Sequence, residues 1–244
     1  MNSLYERYHL KPKLQKRIIS EKSFTYRNLF GVLKRYLKPS ETILDVGCGV
    51  GTMDFYLASK GNIVTGLDIS KSAIDIARRN ASLLGINDGA KFEVGSFPDT
   101  KVRGEFDVIL MSEVIEHLPD DKSAIKECYK NLKRNGILIL STRSENEVLY
   151  RLGFEKTHDK RVGHLRRYTV DGLKRMIRSS GFSILEVRRT EGLLRDSLFV
   201  FPKFGDLIVK VANKFGILSD LLSFLDDIFL RLFGESQIYI IAKK

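Results

Sequence analysis

From residue 42 onward the apolar positions of the chain fall into short runs separated by helical stretches. ETILDVG, NIVTGLDI, AKFEVGS, EFDVILM, NGILILST, GFSILEVRR and QIYIIAKK are seven such runs, rich in β-branched residues, and they predict strands. Between them, residues 52–60, 71–84, 121–133 and 170–180 carry apolar side chains at three- and four-residue spacing, the pattern of helices that bury one face. Gly61, Gly85, Gly136 and Gly181 each follow one of these helices, where a residue free to turn left-handed ends it. Strand and helix alternating in this way predict a mainly parallel sheet wrapped by helices.

Two segments lie outside the alternation. Residues 24–37 predict a helix ended by Pro39, and residues 4–19 a second one interrupted near Pro12. Residues 1–40 therefore read as an N-terminal helical cap, placed to cover a ligand cleft in a domain spanning 41–244. Residues 193–233 form an apolar helical insertion before the last strand. Leu218, Leu221, Leu222, Leu225, Ile228, Phe229 and Leu232 fall along one helical stripe there, with Asp220, Asp226, Asp227 and Arg231 off it. Core packing is the first expectation for such a stripe; a roof over the cleft, a dimer interface and a membrane-facing surface bury the same residues.

Composition narrows the class. The chain has 244 residues, enough for one sizeable core, and its 43% apolar and 29% charged residues are those of a folded globular domain. Cys48 and Cys128 are its two cysteines, without zinc-ligand spacing or a disulfide framework, which points to a reducing cytoplasm. The charged start of the chain lacks the apolar stretch of a secretory signal, and no apolar run is long enough to span a bilayer. The net charge of +11, with basic residues gathered over 11–38 and 156–178, favours an anionic ligand, a nucleic acid or an acidic membrane surface. Peripheral contact with the inner membrane face is consistent with that charge.

The candidate chemistry begins at the first strand. The segment from Ile43 to Gly51 runs from apolar residues into Asp45, Gly47, Cys48, Gly49 and Gly51 and then into a helix, so the backbone can approach a ligand at the strand's carboxyl end. Its glycines are spaced as GxGxG, not as the GxGxxG that seats a pyrophosphate on a helix N-terminus in nicotinamide and flavin enzymes. Asp45, two residues before the first glycine, would repel phosphate and suits a ligand with an ammonium group. Asp68 ends the second strand, where a carboxylate can accept hydrogen bonds from both ribose hydroxyls, with Ile69 beside it for an adenine and Ser70 next in line.

LDVGCGVG, VTGLDIS, FDVILMSEVIEHLPD and LKRNGILILST, in that order over residues 42–142, resemble the successive signatures of the class I S-adenosylmethionine-dependent methyltransferases, in particular the type 11 family and the ubiquinone-biosynthesis O-methyltransferases. The resemblance implies an α/β, Rossmann-like fold: a seven-stranded, mainly parallel sheet with helices on both faces, its last strand inserted antiparallel beside the fifth. It implies S-adenosyl-L-methionine as cofactor, held by Asp45, Gly47, Cys48, Gly49, Gly51, Asp68, Ile69 and Ser70, by Gly95 and Ser96 after the third strand, and by Ser112 and Glu113 after the fourth. At the third strand the chain departs from the pattern. Where such enzymes often carry an acid for the adenine amino group, it reads Val94-Gly95-Ser96-Phe97.

Methyl transfer from a sulfonium needs an aligned nucleophile and, for a hydroxyl, a base. Glu113, Glu116 and His117 follow the fourth strand at a spacing that predicts one face of a helix, with His117 the candidate general base and Glu113 and His164 beside it in the chemistry. ExxEH also resembles the metal-binding motif of quinone-biosynthesis O-methyltransferases and of RNA terminal 2′-O-methyltransferases, in which a later histidine completes the site. Glu113, Glu116, His117 and His164 would be the ligands of a divalent metal here, but the metal-free role is preferred, because the same EHL occurs in relatives with no known metal. Arg143, Arg166 and Arg167 are candidates for an anionic substrate group, with solvated arginines the commoner outcome.

For the acceptor, positive charge and an apolar insertion together favour O-methylation of a hydrophobic small molecule or lipid-type compound. An RNA 2′-O-methyltransferase is the alternative, weakened by the lack of an RNA-binding module. A silent cofactor-binding scaffold would have no physical need of the intact Asp45, Gly47, Gly49, Gly51 and Asp68 set.

Overall fold

In a computed structural model, which describes residues 14–244, the seven apolar runs are seven strands. These are β1 (Thr42–Val46), β2 (Ile63–Asp68), β3 (Ala90–Val94), β4 (Phe106–Ser112), β5 (Leu132–Arg143), β6 (Ser183–Thr190) and β7 (Gln237–Lys243), in one sheet of order β3-β2-β1-β4-β5-β7-β6. The pairs from β3 through β5 are parallel, while β7 lies antiparallel between β5 and β6. The sheet is that of the expected fold, down to the placement of its last strand. Chain order reverses between β1 and β4, the switch point where open α/β sheets leave a crevice at the carboxyl ends of their strands.

Helices cover both faces, which is why the central strands read as near-continuous apolar runs. On one face α1 (Arg27–Tyr36), α2 (Thr52–Ser59) and α3 (Lys71–Leu84) bury Phe30, Phe55 and Ile74 against Ile43, Val108 and Leu110. On the other, α4 (Asp121–Asn131) and α7 (Val170–Ser179) bury Ile125 and Ile177 against Leu44, Ile109 and Met111. Successive residues of β4 thus serve opposite faces, as the two-residue period of a strand requires. Side-chain caps fix three helix starts: Ser70, Asp120 and Thr169 accept hydrogen bonds from the amides of Ala73, Ser123 and Gly172.

Several boundaries differ from expectation for local reasons. The first predicted helix, 4–19, lies largely outside the described residues, and residues 14–19 are not helical. The second begins only at Arg27. α4 stops at Asn131 because Leu132 already pairs with Phe106 in β5. Two short helices, α5 (Val148–Arg151) and α6 (Lys156–Val162), fold the stretch after β5, where polar sequence gave no periodic signal.

The 193–233 insertion folds as α8 (Leu193–Val200), α9 (Pro202–Lys214) and α10 (Gly216–Phe233). Its apolar stripe is not the core element it was expected to be. Leu218 and Leu222 pack with Phe24, Leu198 and Ala212, but Leu221, Leu225, Ile228 and Leu232 stand exposed. The buried residues of α10 are Ser219 and Asp226. Asp226 accepts hydrogen bonds from the amides of Gly192 and Arg195, both at 2.8 Å, and so clamps α10 to the first turn of α8 by its polar side. Among the described residues, no helix is long and apolar enough to cross a membrane.

Candidate active site

A cavity of about 620 Å³ opens at the carboxyl ends of β1, β2 and β4, within the size range of small-molecule sites. Val46, Gly47 and Gly49 wall it on one side, Asp68 and Ile69 on the next, then Gly95 to Asp99. Glu113, Val114, His117 and Leu118 close it from β4. None of residues 14–40 lines it: α1 packs on the sheet face, and Gln15 bonds to Thr52 of α2 and Asn80 of α3.

The glycine loop is built by left-handed backbone. Gly47, Gly49 and Gly51 have φ of 76°, 56° and 82°, a region that costs other residues energy. A β-carbon at Gly47 would lie 2.3 Å from Val114 Cγ2, and one at Gly51 2.7 Å from the Phe55 ring. A β-carbon at Gly49 would meet nothing within 4 Å: it would stand in the open cavity. Asp68 holds this loop, its Oδ2 accepting from the Gly49 amide and its Oδ1 from the Ser70 amide, each at 2.8 Å. Each oxygen keeps a lone pair for a diol.

Several residues expected around the cofactor lie behind this wall. Asp45 is buried beside Asp54 of α2, whose carboxyl is itself fully buried, and the two side chains interact directly. Burial, compounded by the Asp54 charge, pushes the Asp45 carboxyl well up, and burial pushes Asp54 up to about 7. The Cys48 thiol is likewise raised by burial and faces the same carboxylates. Gly51 packs against Phe55 and Phe92, Ser70 caps α3, and the Ser112 hydroxyl pairs with that of Ser141 at 3.0 Å. Asp99 is a lining residue that sequence reasoning missed. Asp99 stands three residues beyond Ser96, in the polar turn after Pro98.

The segment after β4 is not the single helical face its spacing predicted. Glu113 adopts φ 55°, outside any helix, and only Ile115–His117 forms a 3-10 turn. The left-handed residue swings the Glu113 carboxylate toward Ser141 and Gln237, each donating at 3.1 Å. Burial raises its pKa, opposed by the Arg143 charge. Glu116 is fully buried, with Oε2 accepting from Thr142 Oγ1 at 2.9 Å and Oε1 unpartnered. His117 Nδ1 lies 3.1 Å from the Gly163 carbonyl, and its ring centroid 4.8 Å from that of His164. Burial, aided by the His164 charge, pushes His117 down to about 4. His164 is fixed by Asp159 Oδ1 at 2.8 Å from Nδ1 and does not line the cavity.

Of the four candidate metal ligands the structure gathers three: one ligand atom each from Glu116, His117 and His164 lies within 4.8 Å of the others. Glu116 Oε1 has no other partner, and with the two imidazoles it forms a donor set that suits a divalent cation. Glu113 is not part of the group; its carboxylate is held by Ser141 and Gln237 instead.

Arg143 and Arg167 are neither solvated nor open to a substrate. Arg143 donates to Glu147 and Asp196, each at 2.5 Å, and Arg167 is paired with Glu147, Glu155 and Asp159. The network ties β5, α5, α6 and α8 into one block beside the cleft. Arg166 is spent on Asp121 and the Pro119 carbonyl.

The chain matches a family described as "Methyltransferase domain" over residues 37–178. A ubiquinone biosynthesis O-methyltransferase of Coxiella burnetii is 32% identical over 169 residues, covering 63% of this chain and 72% of that protein. A methyltransferase described as SAM-dependent, from Methanosarcina mazei, aligns with TM-score 0.59 and 26% identity over 87% of this chain and 96% of its own. Phosphoethanolamine N-methyltransferase 2 of Haemonchus contortus, solved in complex with S-adenosyl-L-methionine, aligns with TM-score 0.67 and 17% identity over 90% of this chain and 52% of its own. This chain therefore spans about half of that longer protein, and the likeness is one of fold. The chain belongs to the methyltransferase-domain family, within the class I S-adenosylmethionine-dependent methyltransferases that its motifs resemble.

Proposed function

We propose that this member of the methyltransferase-domain family moves the methyl group of S-adenosylmethionine to a hydroxyl oxygen of a hydrophobic small-molecule acceptor. The observation that carries the cofactor reading is the Asp68 carboxylate, held by the Gly49 and Ser70 amides at the rim of the cavity. A carboxylate fixed in this way is preorganised for the two ribose hydroxyls and loses little on binding. Gly49 leaves room for the amino-acid part of the ligand, and Ile69 lies against the adenine. Asp99 supplies the acid for the adenine amino group. The cofactor brings a methyl electrophile on sulfur, so the protein's share is alignment and proton removal.

The acceptor side favours an acidic hydroxyl. His117, at about 4, is neutral at physiological pH but a weak base. It suits a phenolic or catecholic proton, of pKa about 10, better than an aliphatic one close to that of water, about 16. The Coxiella burnetii relative, named for O-methylation in ubiquinone biosynthesis, supports the same class. A divalent ion held by Glu116, His117 and His164 would lower a hydroxyl pKa in its own right, and that cluster is the observation in favour of the second reading, an RNA 2′-O-methyltransferase.

Methyl-labelled cofactor offered with a prenylated catechol and with a short RNA duplex, in chelator and in Mn²⁺, separates the two. The expected result is label in the catechol, with His117→Gln losing turnover but binding the cofactor normally. Label in RNA alone, and only with metal, would establish the second reading instead.

A further inference from the structure

The insertion presents its apolar side to solvent. Ile217, Phe224 and Leu232 are 87%, 63% and 70% exposed, and with Leu221, Leu225 and Ile228 they occupy one arc of α10 about 100° wide. From 217 to 232 the arc runs about 22 Å along the helix. Asp220, Asp227 and Arg231 border it on one side, and on the other the helix packs on its own domain through Leu218 and Leu222. Leu207 of α9 is likewise 68% exposed. The arrangement inverts that of an ordinary surface helix, because the polar side of α10 is consumed by the Asp226 clamp on α8.

A basic cluster sits at the start of the same helix. Arg17, Lys210 and Lys214 line a recess of about 450 Å³ between the N-terminal segment and α9, with Phe199, Val209 and Asn213 and one acid, Asp206. Lys214 Nζ lies 5.4 Å from the Phe215 ring centroid, and the Lys22 stem passes close to Gly216. Positive charge therefore flanks the exposed end of the apolar arc.

We propose that this face of α9 and α10 docks on an anionic lipid bilayer, with the apolar arc entering the headgroup boundary and Arg17, Lys22, Lys210 and Lys214 meeting lipid phosphates. Charge decides between this and a second copy of the chain. Each copy carries +11, so two approaching copies repel while an anionic leaflet attracts. Each basic side chain near such a surface adds about five-fold to partitioning at low salt. The inference goes beyond the reading of the cleft: it concerns the insertion, and holds whatever the cofactor and acceptor are.

The test is flotation of the full chain with phosphatidylcholine vesicles, with and without phosphatidylglycerol. Wild type should float with the anionic vesicles and not the neutral ones, and lose most of that binding in high salt. Ile217→Glu with Phe224→Glu should abolish flotation, and Lys210→Glu with Lys214→Glu should weaken it by more than ten-fold, both keeping the wild-type melting temperature and cofactor affinity. The chain contains no tryptophan, so Leu221→Trp provides a single reporter whose emission should shift to the blue on anionic vesicles. Failure of wild type to float, or a concentration-dependent dimer that Phe224→Glu dissociates without lipid, would overturn the proposal. Cofactor binding, measured without lipid, separates failure here from failure of the reading of the cleft.

Discussion

Replacing Gly49 and Gly51 by alanine, one at a time, should separate ligand binding from folding. Both residues are left-handed, so an alanine costs about 1–2 kcal/mol of backbone strain at either place. At Gly49 the new methyl meets nothing within 4 Å, so strain is the whole cost to the fold, a fall of roughly 2–4 °C in melting temperature per kcal/mol for a domain of this size. At Gly51 it would lie 2.7 and 2.9 Å from the Phe55 and Phe92 rings, adding about 1–3 kcal/mol of overpacking. Binding reverses the ranking. The Gly49 methyl stands in the cavity, where losing about 1.4 kcal/mol weakens S-adenosylmethionine ten-fold, whereas Gly51→Ala should bind nearly normally below its lowered melting point. Thermal unfolding and calorimetric titration of the two variants provide both numbers. Gly49→Ala binding as wild type would mean that the cofactor does not lie against this loop.

The buried Asp54 should make stability fall with pH. Its folded pKa of about 7 lies above the ordinary carboxylate value, so the native state keeps a proton that the unfolded chain releases, and stability is lost as pH rises from about 4 to about 7. Asp54→Asn should therefore raise the melting temperature more at pH 8 than at pH 5; an equal change at both would refute the assignment. Arg167→Met leaves Glu147, Glu155 and Asp159 short of a partner and should cost about 3–5 kcal/mol in denaturant unfolding; a loss below 1 kcal/mol would show that the network is not needed for the fold. Ser70→Ala should cost about 1 kcal/mol through the lost cap of α3 and leave cofactor affinity intact, whereas a large affinity loss would return Ser70 to the binding site.

Local patterns in the sequence carried the strands, most helices and the glycine loop, because each rests on a period or a turn confined to a few residues. Asp68 was legible for the same reason: it ends β2 at a fixed distance from the loop it holds. What the sequence did not reveal depends on long-range placement. The left-handed turn at Glu113 breaks a spacing that looked helical, and no local signal marks it. His117 and His164 meet only because the chain after β5 folds back through α5 and α6, two helices without clear periodicity. Arg143 and Arg167 read as solvated or as candidates for an anionic group, and neither reading holds, because their carboxylate partners lie up to 53 residues away in sequence. In α10 the apolar stripe was plain, but its direction was set by Asp226, a residue the pattern assigns to solvent.

Titration of the purified chain with S-adenosylmethionine and S-adenosylhomocysteine, repeated on Asp68→Ala, bears most directly on the cofactor site. Wild type should bind both ligands. The variant should lose about 1.5–3 kcal/mol of affinity, the worth of charge-assisted hydrogen bonds to a diol. Absence of binding to wild type, or equal affinity in Asp68→Ala, would contradict the assignment of this site.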